Sequence, residues 1–184
     1  MEEKYIIKIR NFLEYGFYMV LAIVVIYFIL TYIGQRTSVH GSSMYPTLKD
    51  GDQLVVEKLS YRFGKPERFD VIVFNYYESG NDTPVHYIKR VIGLPGETIN
   101  IEGGKIYIDG EVLEETYGYY DYQQIMEGYD FSEPTLIGEN EYFVLGDNRN
   151  ESLDSRKIGC IEESDIIGKA VFRLYPFQTI GTIR

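Results

Sequence analysis

The longest stretch without a charged residue lies near the start of the chain. It includes the twenty residues from Tyr15 to Gly34 and ends at Gln35, directly before Arg36. A helix rises about 1.5 Å per residue, so this run would extend about 30 Å, the thickness of a bilayer's hydrocarbon core. Tyrosines lie towards both ends, where aromatic rings favour the membrane interface. No small-x-small cleavage site follows, as it would in a cleavable signal peptide. We therefore predict a retained transmembrane helix over residues 15–35.

The rest of the chain has the pattern of short strands. Its apolar runs are four to six residues long, rich in Val, Ile, Phe and Tyr, and mostly flanked by Gly, Asp, Asn or Pro. The predicted strands are Gln53 to Lys58, Asp70 to Asn75, Tyr87 to Ile92, Thr98 to Ile101, Lys105 to Ile108, Tyr142 to Leu145 and Lys169 to Leu174. We therefore predict a mainly β domain over residues 36–184, an antiparallel sheet coiled into a sandwich- or barrel-like form.

Two features mark the middle of this domain. Alternating apolar residues flank Gly103-Gly104, which predicts a hairpin, and Asp109-Gly110 predicts a second tight turn. Residues 114–134 have no clean period and are rich in Tyr and acids. We interpret them as an insertion between strands, whose tyrosines either pack a satellite cluster or bind peptide or lipid.

Charge limits the partners and the orientation. The net charge of −10 argues against a nucleic-acid partner, which needs a basic face. Lys4, Lys8 and Arg10 precede the apolar run and Arg36 follows it, which favours a cytoplasmic N-terminus over residues 1–14. The β domain would then lie outside the cell membrane. Cys160 is the only cysteine, so no intramolecular disulfide can form.

Ser43 and Lys89 are the candidate catalytic residues. Ser43 follows the apolar run closely, between Gly41 and Pro46, which restrain the backbone. Lys89 lies in an apolar strand-like run, and a lysine on an apolar face has a lowered pKa. Serine needs a base at neutral pH, and such a lysine can be one. Alone, each pattern is also typical of a turn serine or a surface lysine.

A third segment, GDNRNESLDSR from Gly146 to Arg156, has the composition of a tight loop. Its charged residues could form internal ion pairs, and the loop could fix Ser152 against another polar side chain. His40 and His86 keep a Ser-His-Asp arrangement open. Their spacing does not indicate a metal site, and we predict no cofactor.

Taken in order, these blocks resemble the type I signal peptidase family. The blocks are SMYPTL, GDQLVVEK, FDVIVF, YIKRVIGLPGE and GDNRNESLDSR, between the apolar run and about Tyr175. Lysine rather than histidine at position 89 resembles the bacterial form of the family rather than the endoplasmic-reticulum form. The single anchor and the short catalytic part are similar to the compact form of Gram-positive bacteria. The resemblance implies a membrane-anchored serine endopeptidase that removes signal peptides from exported preproteins after Ala-x-Ala sites. Its partners would be those signal peptides and the lipid bilayer.

The resemblance also implies roles for matching residues. Ser43 matches the nucleophile, Lys89 the general base, and Ser152 the hydroxyl that hydrogen-bonds and orients the lysine. Asp154 and Arg156 match a structural ion pair, and Asp147 a supporting carboxylate. Gly41 matches a position whose hydroxyl assists the oxyanion hole in some members, and glycine has none. The residues matching a shallow pocket for a small side chain are Val39, Met44, Leu48, Tyr87 and Ile88.

Two other classes remain as alternatives. A self-cleaving repressor relative would share the Ser-Lys pair and the β architecture, but it would need a DNA-binding domain or a cleavage loop, and the apolar run argues against it. A non-catalytic anchored β domain that binds peptides is the other. Cleavage of an Ala-x-Ala peptide by a detergent extract would distinguish the enzyme from the binding domain.

Overall fold

A computed structural model describes residues 2–28, 34–78, 80–119 and 131–183. Within these residues the chain forms one long helix followed by short strands. The helices are α1 (Glu2–Phe28), α2 (Ser60–Phe63) and α3 (Ser155–Ile158). The strands are β1 (Gly34–Ser38), β2 (Gln53–Glu57), β3 (Val71–Tyr76), β4 (Val85–Gly93), β5 (Thr98–Glu102), β6 (Lys105–Ile108), β7 (Glu111–Val112), β8 (Phe131–Leu136), β9 (Glu141–Leu145), β10 (Ile161–Glu162), β11 (Ile166–Tyr175) and β12 (Gly181–Thr182).

The bounds of α1 differ from those of the predicted span. The helix already includes the charged residues before Tyr15, because helix formation depends on backbone hydrogen bonds and propensity rather than on hydropathy. At the other end, Gly34 and Gln35 belong to β1. Within the described residues one helical stretch, Ile6–Phe28, is long and apolar enough to cross a membrane, and none of its most apolar window is buried against the rest of the protein.

The larger sheet positions the candidate site. Its strands lie in the order β1-β2-β11-β3-β4-β9-β10, β12 pairs with β11, and every pairing is antiparallel. The mainly β prediction is confirmed. The barrel-like description fits only loosely, because the two ends of this path, β1 and β10, do not pair with each other among the described strands.

The smaller sheet contains the predicted hairpins. Its order is β7-β6-β5-β8. In the first hairpin Glu102 pairs with Lys105 across Gly103-Gly104. Both glycines have positive φ, 57° and 75°, which other residues rarely adopt. Asp109-Gly110 forms the second turn, with φ of 51° and 84°. A buried cluster that includes Ile99, Ile106 and Phe143 joins the two sheets.

All seven predicted strands are present, with bounds within two residues of the predicted ones in most cases. In the predicted insertion, residues 114–119 and 131–134 are described, and the latter belong to β8. The rest of the predicted insertion, residues 120–130, lies outside the described residues.

Candidate active site

Ser43 lies in the loop between β1 and β2, and several hydrogen bonds hold this loop. The backbone N–H of Val39 donates to Asp52 O (2.9 Å), and Gly51 N–H donates to Val39 O (3.0 Å). Arg173 of β11 donates from Nη1 to the Asp52 carboxylate, at 2.8 Å. None of the hydrogen bonds among the described residues uses the backbone N–H of Ser43. That N–H is therefore available to a ligand.

Lys89 lies on β4, near the middle of the larger sheet, where it pairs with Ile72 of β3. Its side chain is buried, with 4% relative exposure. The amine Nζ donates to Ser43 Oγ at 2.9 Å and to the Ile88 carbonyl at 3.0 Å. A surface lysine, the alternative left open by the sequence, is therefore wrong. The structure brings the two candidate catalytic residues into direct hydrogen-bonding contact.

Burial determines the protonation of this lysine. Loss of hydration lowers the pKa of Lys89 from 10.5 to about 8, although the nearby carboxylates of Asp154 and Asp147 act in the opposite direction. Neither carboxylate accepts a hydrogen bond from the amine. This lowered pKa gives the amine a minor neutral fraction at pH 7 that grows as the pH rises through 8, and the neutral form is the one that can act as a general base.

The two carboxylates are neutralised by buried arginines. Asp154 receives two hydrogen bonds from Arg156, both at 2.8 Å, and it also accepts from the backbone N–H of Gly146. Asp147 receives two from Arg90 of β4, at 2.8 and 2.7 Å. The expected Asp154–Arg156 pair is therefore present. Asp147, by contrast, pairs outside its own loop, because strand pairing of β4 with β9 places Arg90 beside it.

The loop after β9 holds the Ser43 loop by direct contacts. The backbone N–H of Asn148 donates to Ser43 O at 3.0 Å. Its side-chain Nδ2 donates to Ser42 O at 3.3 Å. The Ser42 hydroxyl donates to Glu151 Oε2 at 2.9 Å. These contacts fix the backbone on both sides of the Ser42–Ser43 peptide.

Ser152 differs from its expected arrangement. Its hydroxyl is buried but has no hydrogen-bond partner among the described residues, so the expected bond to Lys89 is not formed. The amine hydrogen-bonds to Ser43 Oγ and to the Ile88 carbonyl instead. Ser152 nevertheless lies beside the Ser43 loop. A Cβ added at Gly146 would lie 2.2 Å from Ser152 Oγ and 2.5 Å from Ser43 O, so glycine at 146 allows this close approach.

A cleft of about 340 Å³ opens above the Ser43–Lys89 pair. Four of the five residues predicted to contact substrate line it, namely Val39, Met44, Tyr87 and Ile88. Leu48 does not line the cleft and is fully buried beneath it. The chain turns inward there, and Leu48 N–H bonds to Met44 O at 2.8 Å. Leu48 therefore supports the wall of the cleft from the core that it shares with Val39.

His40 and His86 are exposed residues of the cleft rim. Neither imidazole hydrogen-bonds to Ser43 or to a carboxylate in the described part of the chain. The geometry therefore favours lysine over histidine as the partner of Ser43.

The comparison with known proteins supports the same class. The family model for signal peptidases, peptidase family S26, matches residues 12–175. A probable signal peptidase I-2 from Synechocystis sp. is 35% identical over 176 residues, which cover 95% of this chain and 78% of the relative. Signal peptidase I T from Bacillus subtilis is 36% identical over 178 residues, covering 93% and 89%. The chain belongs to the signal peptidase I family. It is therefore a serine endopeptidase, a hydrolase.

Among solved structures, a crystal structure of a signal peptidase I from Enterococcus faecalis matches at 32% identity with a TM-score of 0.45. That match covers 57% of this chain and 96% of the other.

Within this signal peptidase I site, Gly41 occupies the predicted position next to the cleft. Its φ of +85° lies in the left-handed region, which explains a glycine there. Its backbone N–H donates to Asp50 Oδ1 at 2.8 Å and is not directed to a substrate. The backbone N–H of Ser43 is thus a donor available to a substrate, and position 41 provides no side-chain donor.

Sequence reasoning assigned no role to several residues that build this site. Ser42, Asn148 and Glu151 hold the loops together, and Leu153 lines the cleft. Asn148, Glu151 and Leu153 lie in the quoted block GDNRNESLDSR, and Ser42 directly precedes the block SMYPTL. Their position beside the predicted nucleophile and hydroxyl was the available signal.

Proposed function

We propose that this enzyme is a membrane-anchored signal peptidase that uses Ser43 as its nucleophile and Lys89 as its general base. The observation that carries the proposal is the 2.9 Å hydrogen bond between Lys89 Nζ and Ser43 Oγ inside a buried site. The substrates are the signal peptides of exported preproteins, in line with the name signal peptidase I that the relatives carry. The scissile bond lies directly after a small-x-small site such as Ala-x-Ala.

The mechanism begins with neutral Lys89. The amine accepts the proton of the Ser43 hydroxyl as Oγ attacks the scissile carbonyl carbon. The carbonyl oxygen becomes an oxyanion, which the free N–H of Ser43 stabilises. Collapse of this intermediate breaks the C–N bond, and Lys89 returns the proton to the leaving amine. Water then hydrolyses the acyl-enzyme, with Lys89 again as the base.

The supporting residues limit the effect of the nearby carboxylates on the lysine and hold the loops in place. Arg90 and Arg156 neutralise Asp147 and Asp154, which would otherwise favour the protonated lysine. Ser152 is the positioning hydroxyl for the amine, since it is buried beside the Ser43 loop and has no other partner in the described part of the chain. A flexible lysine stem needs such a partner when Ser43 forms its bond to substrate.

Small-residue specificity follows from the walls of the cleft. Val39, Met44 and Ile88 are buried apolar side chains, closely packed with Leu48 behind them. A shallow apolar recess of this kind accommodates an alanine side chain, whereas a larger side chain would have to displace packed core residues.

The membrane holds the enzyme through α1. In the described part of the chain, the most apolar window of this helix is not buried against the rest of the protein, so lipid is its natural environment. The basic residues Lys4, Lys8 and Arg10 place the N-terminus in the cytoplasm and the β domain outside. The enzyme is a single-pass protein of the cell membrane. With a net charge of −10 it has no nucleic-acid partner.

The test is cleavage of a synthetic preprotein peptide by the full chain in detergent micelles. We expect one cut after an Ala-x-Ala site, read by mass spectrometry, and no cut when the last alanine of the site is replaced by leucine. The Ser43→Ala protein is the matched control for contaminating proteases. Equal cleavage by that variant, or equal cleavage of the leucine peptide, would contradict the proposal.

A further inference from the structure

Residues 115–119 contact the three elements that form the site, namely the loop that carries Ser43, the strand that carries Lys89 and the loop after β9. We call them the 115–119 segment. They precede the part of the chain that the structure leaves undescribed, and they line none of the candidate cleft. Their contacts are nevertheless directed to residues next to Ser43 and Lys89 and to the loop that carries Ser152.

The first contact is an ion pair within the protein interior. Arg149 is completely buried, and both of its terminal nitrogens donate to the carboxylate of Glu115. Its Nε donates to Gly146 O at 3.0 Å. A buried, bidentate arginine has a fixed orientation. Glu115 therefore helps to determine where the arginine and the adjacent backbone at Gly146 lie.

The second contact is a backbone bridge. Tyr119 N–H donates to Asp147 O at 2.7 Å, and Arg149 N–H donates to Tyr119 O at 3.2 Å. The ring of Tyr119 also packs edge-on against Tyr45, with centroids 5.3 Å apart. The segment thus connects the loop after β9 to the loop that carries Ser43.

The third contact reaches the strand of Lys89. The ring of Tyr117 lies 3.8 Å from the guanidinium carbon of Arg90, a cation–π contact. Arg90 follows Lys89 directly and holds Asp147 with two hydrogen bonds. Tyr117 therefore covers the ion pair that fixes β4 to the loop after β9.

From these three contacts we infer that the 115–119 segment is a positioning element of the active site, with Glu115, Tyr117 and Tyr119 as its positioning residues. It acts through Arg149, Asp147 and Arg90 rather than by touching substrate. Loosening it changes the alignment of Ser43 and Lys89, and a misplacement near 1 Å can reduce a rate by about a hundredfold. The inference rests on the proposed function of that pair.

The experiment compares variants of the full chain in detergent on the Ala-x-Ala peptide. Tyr117→Leu removes the ring over Arg90, and Tyr117→Phe retains it. Gly118→Ala places a methyl group about 3.0 Å from the Arg149 guanidinium and 2.9 Å from Glu115 Oε1, so it disturbs the ion pair without removing a charge. Glu114→Ala, at an exposed position just outside the segment, is the matched control.

We expect kcat to fall about tenfold or more in Tyr117→Leu and in Gly118→Ala, with KM within twofold of the wild-type value. Tyr117→Phe and Glu114→Ala should retain wild-type kcat. Thermal unfolding of each variant is measured in the same detergent. A positioning role lowers kcat at temperatures where the variant remains fully folded.

Three results would overturn the inference. One is unchanged kcat in both Tyr117→Leu and Gly118→Ala. Another is a loss of kcat that is proportional to the unfolded fraction of each variant, or failure of both Tyr117→Leu and Gly118→Ala to fold, because the segment would then contribute only to stability. The last is equal loss in Tyr117→Phe and Tyr117→Leu. Failure of the proposed function is distinguishable, since the wild-type protein itself would then not cleave the peptide.

Discussion

Replacing Lys89 with methionine should stabilise the protein at neutral pH while abolishing cleavage. Burial lowers the pKa of Lys89 from 10.5 to about 8. Below pH 8 the amine is charged in the folded and the unfolded chain, so the folded state bears the full cost of the buried charge. At about 1.4 kcal/mol per tenfold change in proton affinity, this cost is about 3 kcal/mol. As pH rises from 8 to 10.5, the folded state releases its proton first, and stability increases.

Methionine has no such charge, so the difference between the two proteins should depend on pH. The free-energy advantage of Lys89→Met should decrease by about 2 kcal/mol between pH 7 and pH 9.5. Loss of a hydrogen bond from the amine would change the free energy of unfolding by the same amount at both pH values, so it would not alter this pH-dependent difference. The assay is urea unfolding of the full chain in detergent, followed by circular dichroism.

The matched control is Lys105→Met, at an exposed lysine on β6. Its effect on the free energy of unfolding should be the same at both pH values. If the Lys89→Met difference is also constant within about 0.5 kcal/mol, the buried amine has no lowered pKa, and the reasoning from burial is refuted.

Three other predictions follow from the site and the anchor. Ser43→Ala and Lys89→Ala should each abolish peptide cleavage with the fold intact, and the double variant should lose no more, since the two residues act as one unit; near-normal turnover by either single variant would exclude the assignment. Ser152→Ala should lower kcat by roughly ten- to a thousandfold, which corresponds to about 1.4 to 4 kcal/mol of barrier, with little change in KM, whereas Ser152→Thr should retain more activity. Equal activity of the two variants would show that Ser152 does not position the lysine. Protease added to intact protoplasts should digest the β domain, and its protection until the membrane is broken would reverse the orientation drawn from Lys4, Lys8 and Arg10.

The sequence predicted the strands well where their own residues determine them. Runs of β-branched and aromatic residues such as those of β3 and β4 pack against both neighbours, so their local pattern agrees with the fold. β1, with the sequence GQRTS, has no such pattern. It forms because β2 offers it an edge with five paired residues. The residues of a strand do not by themselves predict tertiary pairing of this kind.

The candidate site could be predicted as a set of residues but not as a set of contacts. Ser43 and Lys89 are 46 positions apart in the chain, and their sequence motifs predicted that the two residues act together. The partners of Arg90 and Arg149 could not be predicted in the same way. Arg90 of β4 pairs with Asp147 in the loop after β9, and Arg149 pairs with Glu115, a residue with no motif of its own. Such pairs depend on strand register and on long-range packing.

The most direct measurement of the central claim is the pH dependence of kcat/KM for the full chain in detergent. This quantity reports the ionisation of the free enzyme's essential base. If the buried amine of Lys89 activates Ser43, kcat/KM should rise with pH through an apparent pKa near 8 and then level off. A rise centred near 6.5 would indicate a histidine base instead. No ionisation below about 9.5 would indicate a fully hydrated lysine, and either result would contradict the account.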